Sequence, residues 1–272
     1  MAGLDANSVV SRGLGRDPAV RAIARSWREL TGGRARGLDD RERRTLVACS
    51  GGADSSALAI ALGEVTGAIV IGHVVHDLRP AADAEADGAA VRSLAARLGA
   101  GHVERRIAPA SAAGNAEDNA RRLRYEALEN MAREEGCAFV ATGHQASDEL
   151  ETVLMGLMRG AGPRGLGGVR PSRALSRQVT LIRPMLGLPR RECERLCKAF
   201  GWRWVEDETN ADEARLRACV RRTLLPQIEC VRPGASVRAS RSAGLLREAS
   251  EMIEEAAGEL LRAGIRDDGG LR

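Results

Sequence analysis

The chain has 272 residues, and its 41 basic and 37 acidic side chains leave a net charge of +4; two domains, one large and one small, are the expectation at this length. Apolar residues make up 44% and charged residues 29%, which excludes a disordered or collagen-like chain. The sole lysine, Lys198, lies in Cys193-x-x-x-Cys197-Lys198-Ala199-Phe200, so the other 40 basic residues are arginine and the Gly-Lys-Ser/Thr of a Walker-type phosphate loop is absent.

The longest apolar stretch, Ala57 to Val75, is broken by Glu64, Thr66 and glycines and falls short of the ~20 uninterrupted apolar residues of a membrane span. No apolar signal segment opens the chain, and a cytoplasmic protein without membrane association is expected. The six cysteines are scattered and form no Cys-x-x-Cys pair, which speaks against a disulfide scaffold. Cys193 and Cys197 stand one helical turn apart with no second pair nearby, so a structural role is favoured over a metal site.

In chain order, Ala19 to Leu30 has helical spacing. Thr45 to Cys49 is a short β-prone run that ends in Ser50-Gly51-Gly52, and Ser55 to Val65 reads as an Ala/Leu helix. Ala68 to Val75 is a buried strand, Ala81 to Leu98 a helix, and His102 to Ile107 a third strand. A long helix runs from Asn115 to Glu135, followed by the strand Ala138 to Thr142 and the helix Asp148 to Met158. Residues 159–171 hold five glycines, two prolines and three arginines and read as a mobile loop. A strand at Val179 to Ile182, a helix at Arg190 to Phe200 and a polar turn at Asp207 to Asp212 follow. An arginine-rich helix is predicted to end near Pro226, and Ser236 to Ala263 forms a terminal helix before a disordered Gly269-Gly270 tail.

Strands alternating with helices imply an α/β fold, a parallel sheet with helices on both faces, followed here by a small, mainly helical basic region. Ligands of such sheets bind at the carboxyl ends of the strands. The loops Ser50 to Ser56, His76 to Pro80 and Gly143 to Glu149 would converge there. Charge is segregated along the chain: residues 46–158 carry −7 and residues 159–247 carry +11. The second block is a candidate surface for a polyanion, although scattered arginine also makes an ordinary solvated surface.

Ser50-Gly51-Gly52-Ala53-Asp54-Ser55-Ser56 is the segment richest in chemistry. Its glycines let a phosphate approach the backbone, and the N–H groups at the start of the next helix point to the same place. The hydroxyls of Ser50, Ser55 and Ser56 add donors. Asp54 would repel phosphates unless a divalent cation lay between them, which makes it a candidate Mg²⁺ ligand. Judged locally, the segment is equally an ordinary glycine turn with a helix cap.

The segment resembles the pyrophosphate loop (PP-loop) of the N-type ATP pyrophosphatases. Further matches are similar to one family among them, the tRNA(Ile)-lysidine synthases: His73-Val74-Val75-His76-Asp77-Leu78-Arg79-Pro80; Asn115-x-Glu117-x-x-Ala120-Arg121-x-x-Arg124-Tyr125; and Thr142-Gly143-His144 with Asp148-x-x-Glu151-Thr152-Val153-Leu154. Arg159-Gly160, Gly165-Leu166, Arg183-Pro184-Met185-Leu186 and Arg190-x-Glu192 follow, then Asp207-x-x-Asn210-x-Asp212 with Arg217, Arg221 and Pro226. The chain departs from the family pattern at Gln145, Ser147 and Ala218.

The resemblance implies an N-terminal extension (1–44), a PP-loop ATP-binding core (45–230) and a C-terminal helical segment (231–272). It implies that ATP, with Mg²⁺, adenylates the wobble cytidine of a CAU-anticodon tRNA(Ile), and that free L-lysine then displaces AMP. Ser50 to Ser56 and His76 would bind ATP, and Arg121 and His144 would act at the α-phosphate. Asp148 and Glu151, one turn apart on a helix face, would take the lysine ammonium. Arg159, Arg183, Arg190, Arg217 and Arg221 would contact the tRNA, and a homodimer is among the assemblies allowed. Each role has a structural alternative: Arg121 and Arg124 pairing with Glu117 or Glu126, Asp148 capping its helix, Glu151 facing solvent. Two rival functions stand beside this one. A tRNA-thiolating relative would need cysteines for sulfur transfer or an iron–sulfur cluster, and a paralogue that binds ATP or RNA without catalysis would have no use for an ammonium site.

Overall fold

The computed structural model describes residues 13–33, 39–77, 80–109, 116–205 and 215–264. Leu78, Arg79, Asn115, Asp207, Asn210, Asp212 and the Gly269-Gly270 tail lie outside them, as does the side chain of Glu117. Two compact units divide the chain: residues 1–145 with 171–211, and residues 146–170 with 212–272.

The first unit is built on six strands, β1 (Thr45–Ala48), β2 (Ile69–His76), β3 (Gly101–Ile107), β4 (Phe139–Ala141), β5 (Ser172–Ala174) and β6 (Thr180–Ile182), in the order β3-β2-β1-β4-β6-β5. All pairings are parallel except that of β5 with β6. Successive side chains of a strand point to opposite faces. Val47, Ile71, Ala141 and Ile182 accordingly enter one core with α1 (Pro18–Leu30), α2 (Ala53–Gly63), α3 (Ala81–Leu98) and α7 (Arg190–Phe200). Leu46, Val70, Val140 and Leu181 enter the other with α4 (Ala116–Glu134). The expected two-faced sheet is thus present.

Helix α2 is apolar all round, and such a helix needs cover all round. Leu58 to Leu62 have no exposed surface, because the sheet lies on one side and α1 and α7 pack on others. Burying Leu58, Ile60 and Leu62 stabilises the unit by roughly 1.5–3 kcal/mol each. Helix α1 belongs to the same core: Trp27 is fully buried and its Nε1–H donates to Thr45 Oγ1 at 3.0 Å. Arg43 donates to the carbonyls of Arg28, Thr31 and Gly33, satisfying the open carbonyl end of α1.

The second unit contains α5 (Ala146–Met158), α6 (Pro163–Leu166), α8 (Arg215–Cys219), α9 (Leu225–Val231) and α10 (Ala235–Gly264). Leu150, Val220 and Leu225 form its small core.

The structure departs from the sequence-based expectation at three places. The segment 159–171 is held rather than loose: α6 lies within it, the Val169 N–H donates to Glu149 Oε2 at 2.8 Å, and Arg247 donates to the carbonyls of Gly167 and Val169. Composition suggested mobility, but the partners that fix the backbone come from other segments. The exposed edge strand β5 was not foreseen, being three residues with no apolar alternation. The arginine-rich helix also runs past Pro226 to Val231, after one π-helical turn at Val220–Leu224. A proline lacks the N–H for the helical ladder and crowds the carbonyl four residues back, and the widened turn lets the helix pass through it.

Candidate active site

The strand order reverses between β1 and β4; the carboxyl ends flanking such a switch point are where open α/β sheets bind ligands. Ser50-Gly51-Gly52 follows β1, and Gly143-His144 follows β4.

The glycine loop is locked by its own side chains. Ser55 Oγ accepts from the Ser50 N–H at 3.1 Å and donates to the Gly52 carbonyl at 3.1 Å, while the Ser56 hydroxyl donates to the Gly51 carbonyl. The first helical bond of α2 runs from the Ser56 N–H to the Gly52 carbonyl. The N–H groups of Ala53, Asp54 and Ser55 therefore precede the ladder and sit at the positive end of the helix dipole. Gly51 has φ +90°, a conformation that side chains rarely adopt. Val205, whose N–H donates to the Gly51 carbonyl at 3.0 Å, also lies where a Cβ on Gly51 would project.

His73 fixes the strand end just before the loop. It is buried, and its Nδ1 lies 2.8 Å from the Cys49 carbonyl. A carbonyl only accepts, so Nδ1 carries the proton. His76 ends β2 at the same edge of the sheet. In the sequence His73 stands only within a motif, and nothing local marks Val205, about 150 positions away, as the cover of the loop.

Asp54 stands in the first turn of α2. Its carboxylate faces Cys193 of α7: burial chiefly, and then the charge and hydrogen bonding of Asp54, push that thiol well above the ordinary range. Cys197 is pushed up to about 12, again by burial first and by Asp54 second, and its thiol donates to the Ala53 carbonyl at 3.4 Å. These cysteines lie behind the loop, buried in the core that α7 shares with α2. Among the described residues no group of three His, Cys, Asp or Glu side chains is arranged to hold a metal.

His144 is oriented by Thr142, whose Oγ1 lies 3.0 Å from Nδ1. Gly143, between them, approaches the backbone of α2 so closely that a Cβ there would lie 2.9 Å from both the Asp54 carbonyl carbon and the Ser55 nitrogen. Arg121 is exposed on α4, with its guanidinium 5.4 Å from the centre of the Tyr125 ring.

In the second unit, Asp148 and Glu151 share the first two turns of α5. Glu151 is 2% exposed. It accepts from Arg217 Nε, and its second oxygen lies 3.3 Å from Arg221 Nε. Asp148 Oδ1 accepts from Arg221 Nη2 at 3.1 Å. The proposed ammonium acceptors and two proposed tRNA contacts are thus one ion-pair network. Of the other arginines assigned to tRNA, Arg159 and Arg190 are exposed and Arg183 is buried.

Residues 22–228 match the PP-loop domain family. The chain is 39% identical over 229 residues to the tRNA(Ile)-lysidine synthase of Deinococcus deserti, a match covering 83% of this chain and 41% of that protein. It is 37% identical over 235 residues to the tRNA(Ile)-lysidine synthase of Salinispora arenicola, covering 83% and 69%. The U34-tRNA thiolase NcsA from Methanococcus maripaludis, solved with its 4Fe-4S cluster, shares the fold at a TM-score of 0.63 and 19% identity, over 85% of this chain and 79% of that one. The chain spans less than half of the Deinococcus protein. The glycine loop at the switch point and these identities lead to one placement: the chain belongs to the PP-loop family and, within it, to the tRNA(Ile)-lysidine synthases.

Proposed function

We propose that the protein uses ATP to join lysine to C2 of the wobble cytidine in a CAU-anticodon tRNA(Ile). The cytidine O2 attacks the α-phosphate and pyrophosphate leaves. A lysine amine then attacks C2, AMP departs with the C2–O bonding electrons, and the amine gives up a proton. The observation that carries this reading is the Ser50–Ser56 loop, with its donors gathered at the start of α2 and Gly143-His144 packed beside them.

In this reading the backbone N–H groups of Ala53, Asp54 and Ser55 hold the leaving pyrophosphate, and Arg121 offsets charge that grows at the α-phosphate. His144 Nε2, the ring nitrogen opposite the Thr142 contact, relays the proton. Mg²⁺ commonly takes one or two protein carboxylates beside substrate phosphates, and Asp54 is the carboxylate on this loop. When bound, the ion would supply charge neutralisation between the phosphates. Asp148 and Glu151 take the lysine ammonium, exchanging Arg217 and Arg221 for the substrate cation. A sulfur-transfer role is disfavoured by the thiols behind the loop, since burial keeps Cys193 and Cys197 protonated and thiolate is the reactive form.

The test is incubation of the protein with ATP, Mg²⁺, lysine and a CAU-anticodon transcript, followed by nucleoside mass analysis. Lysidine at the wobble position is the expected product. An unmodified cytidine, with a transcript that an authentic lysidine synthase converts, overturns the reading.

A further inference from the structure

Three arginines from three elements meet around one tyrosine on the α4 side of the sheet. Arg121 and Arg173 lie over the Tyr125 ring, with guanidinium carbons 5.4 and 4.5 Å from its centre. Arg183 lies close enough to the phenol that its charge acts on it. Arg183 is 3% exposed. Arg121 and Tyr125 are one turn apart on α4, Arg173 is on edge strand β5, and Arg183 directly follows β6.

Guanidinium groups repel one another, and gathering three about a neutral ring costs free energy unless an anion is shared among them. The charges that weigh most on Arg183 after its burial are a phenol and two further arginines; burial, Arg173 and Arg121 lower its proton affinity, and Tyr125 raises it. Burial pushes the Tyr125 phenol up, but the neighbouring guanidiniums of Arg121, Arg183 and Arg173 outweigh it, so the net shift is downward. Among the described residues, neither Arg121 nor Arg173 has an ion pair with a carboxylate, whereas Arg105 and Arg122, also near α4, each do. The cluster also sits at the ligand-binding edge of the sheet: the Ile182 carbonyl preceding Arg183 accepts from the Thr142 N–H at 3.1 Å, and Thr142 orients His144.

We propose that Arg121, Arg173 and Arg183, set in place by Tyr125, form a binding subsite for a phosphate group. Planar guanidiniums give paired donors to phosphate oxygens, and stacking on Tyr125 holds two of the forks in a fixed orientation. Tyr125 is a positioning residue. The subsite deepens the proposed function and rests on that reading for its two sources of phosphate, an RNA phosphodiester next to the modified base or the nucleotide itself.

Arg173 is exposed on a short edge strand, so Arg173→Ala can be made without opening a core. Affinities of the unaltered protein, Arg173→Ala, Tyr125→Phe and Arg177→Ala are measured for ATP and for a CAU anticodon stem-loop RNA across a salt series. Arg173→Ala is expected to weaken one of the two ligands about tenfold, with Tyr125→Phe weakening the same ligand. Arg177→Ala, on the same hairpin, is expected to change neither. Loss confined to RNA, with a salt slope smaller by about one, assigns a phosphodiester; loss confined to ATP assigns the nucleotide. The proposal is overturned if Arg173→Ala binds both ligands as the unaltered protein does, if Arg177→Ala reproduces its loss, or if the unaltered protein binds neither. Failure of lysine transfer by an unaltered protein that binds both ligands counts against the proposed function alone.

Discussion

Gly143 lies against Asp54 at the point where the loop after β4 meets the start of α2, with no room for a single added carbon. In the proposed function the contact sets the distance between the Ser50–Ser56 loop and His144, which would make it a spacing device as well as a packing contact. Gly143→Ala is expected to destabilise the protein by about 1–3 kcal/mol and to slow pyrophosphate release more than it weakens ATP binding. Thermal unfolding and single-turnover pyrophosphate release check the two parts. Normal release in a destabilised variant would reduce the contact to packing.

Glu151 is the hub of the network with Arg217 and Arg221. Glu151→Ala is expected to raise the KM for lysine by roughly 10- to 100-fold, the scale of a lost hydrogen bond to a charged group, while the KM for ATP changes less than about twofold. Initial rates with each substrate varied separately give the comparison. Equal rises in both would mean that the carboxylate serves only to hold α8 and the π-helical turn.

The thiols give a pH dependence with a defined sign. Burial raises Cys49, Cys193 and Cys197 above the value of 9.0 for an unperturbed thiol, Cys197 to about 12. Below about pH 9 both folded and unfolded chains keep these protons, and the thiols leave stability unchanged. Above it the unfolded chain releases them first, so stability falls as pH rises toward 12. Denaturant midpoints from pH 7 to 11 check this, and replacing Cys193 and Cys197 by alanine should flatten the alkaline limb. In the native protein at pH 8, Cys219 and Cys230, the exposed pair, should react with a thiol reagent well before the four buried cysteines.

Trp27 ties the N-terminal helix to β1 through Thr45. Trp27→Ala is expected to cost about 3–5 kcal/mol, read as a drop in the denaturant midpoint. A change under about 1 kcal/mol, the scale of a surface substitution, would mean that α1 is dispensable to the core.

The sheet and its helices were legible because their signal is local: apolar runs of four to eight residues, Ala/Leu helices between them and a glycine turn after the first strand. The glycine loop before α2 was legible for the same reason, since Ser50, Gly51, Gly52 and Ser55 act on one another within six residues. What escaped the sequence depends on distant partners. Spacing left Glu151 to solvent or substrate, whereas Glu151 is paired with Arg217 across 66 positions. Val205 over Gly51 and the pinning of Val169 by Glu149 belong to the same class. The glycine at 143 was read as part of a motif, and only the backbone of α2 explains why no other residue fits there.

The central claim, adenylation followed by lysine transfer, is tested most directly by separating the two steps with ATP labelled at the α-phosphate. With a CAU-anticodon transcript and no lysine, label should enter the RNA in step with pyrophosphate release, and adding lysine should return it as AMP. The Asp54→Ala variant should fail at the first step and Glu151→Ala at the second. Label that never enters the RNA while ATP is consumed, or AMP release that ignores lysine, would contradict the account.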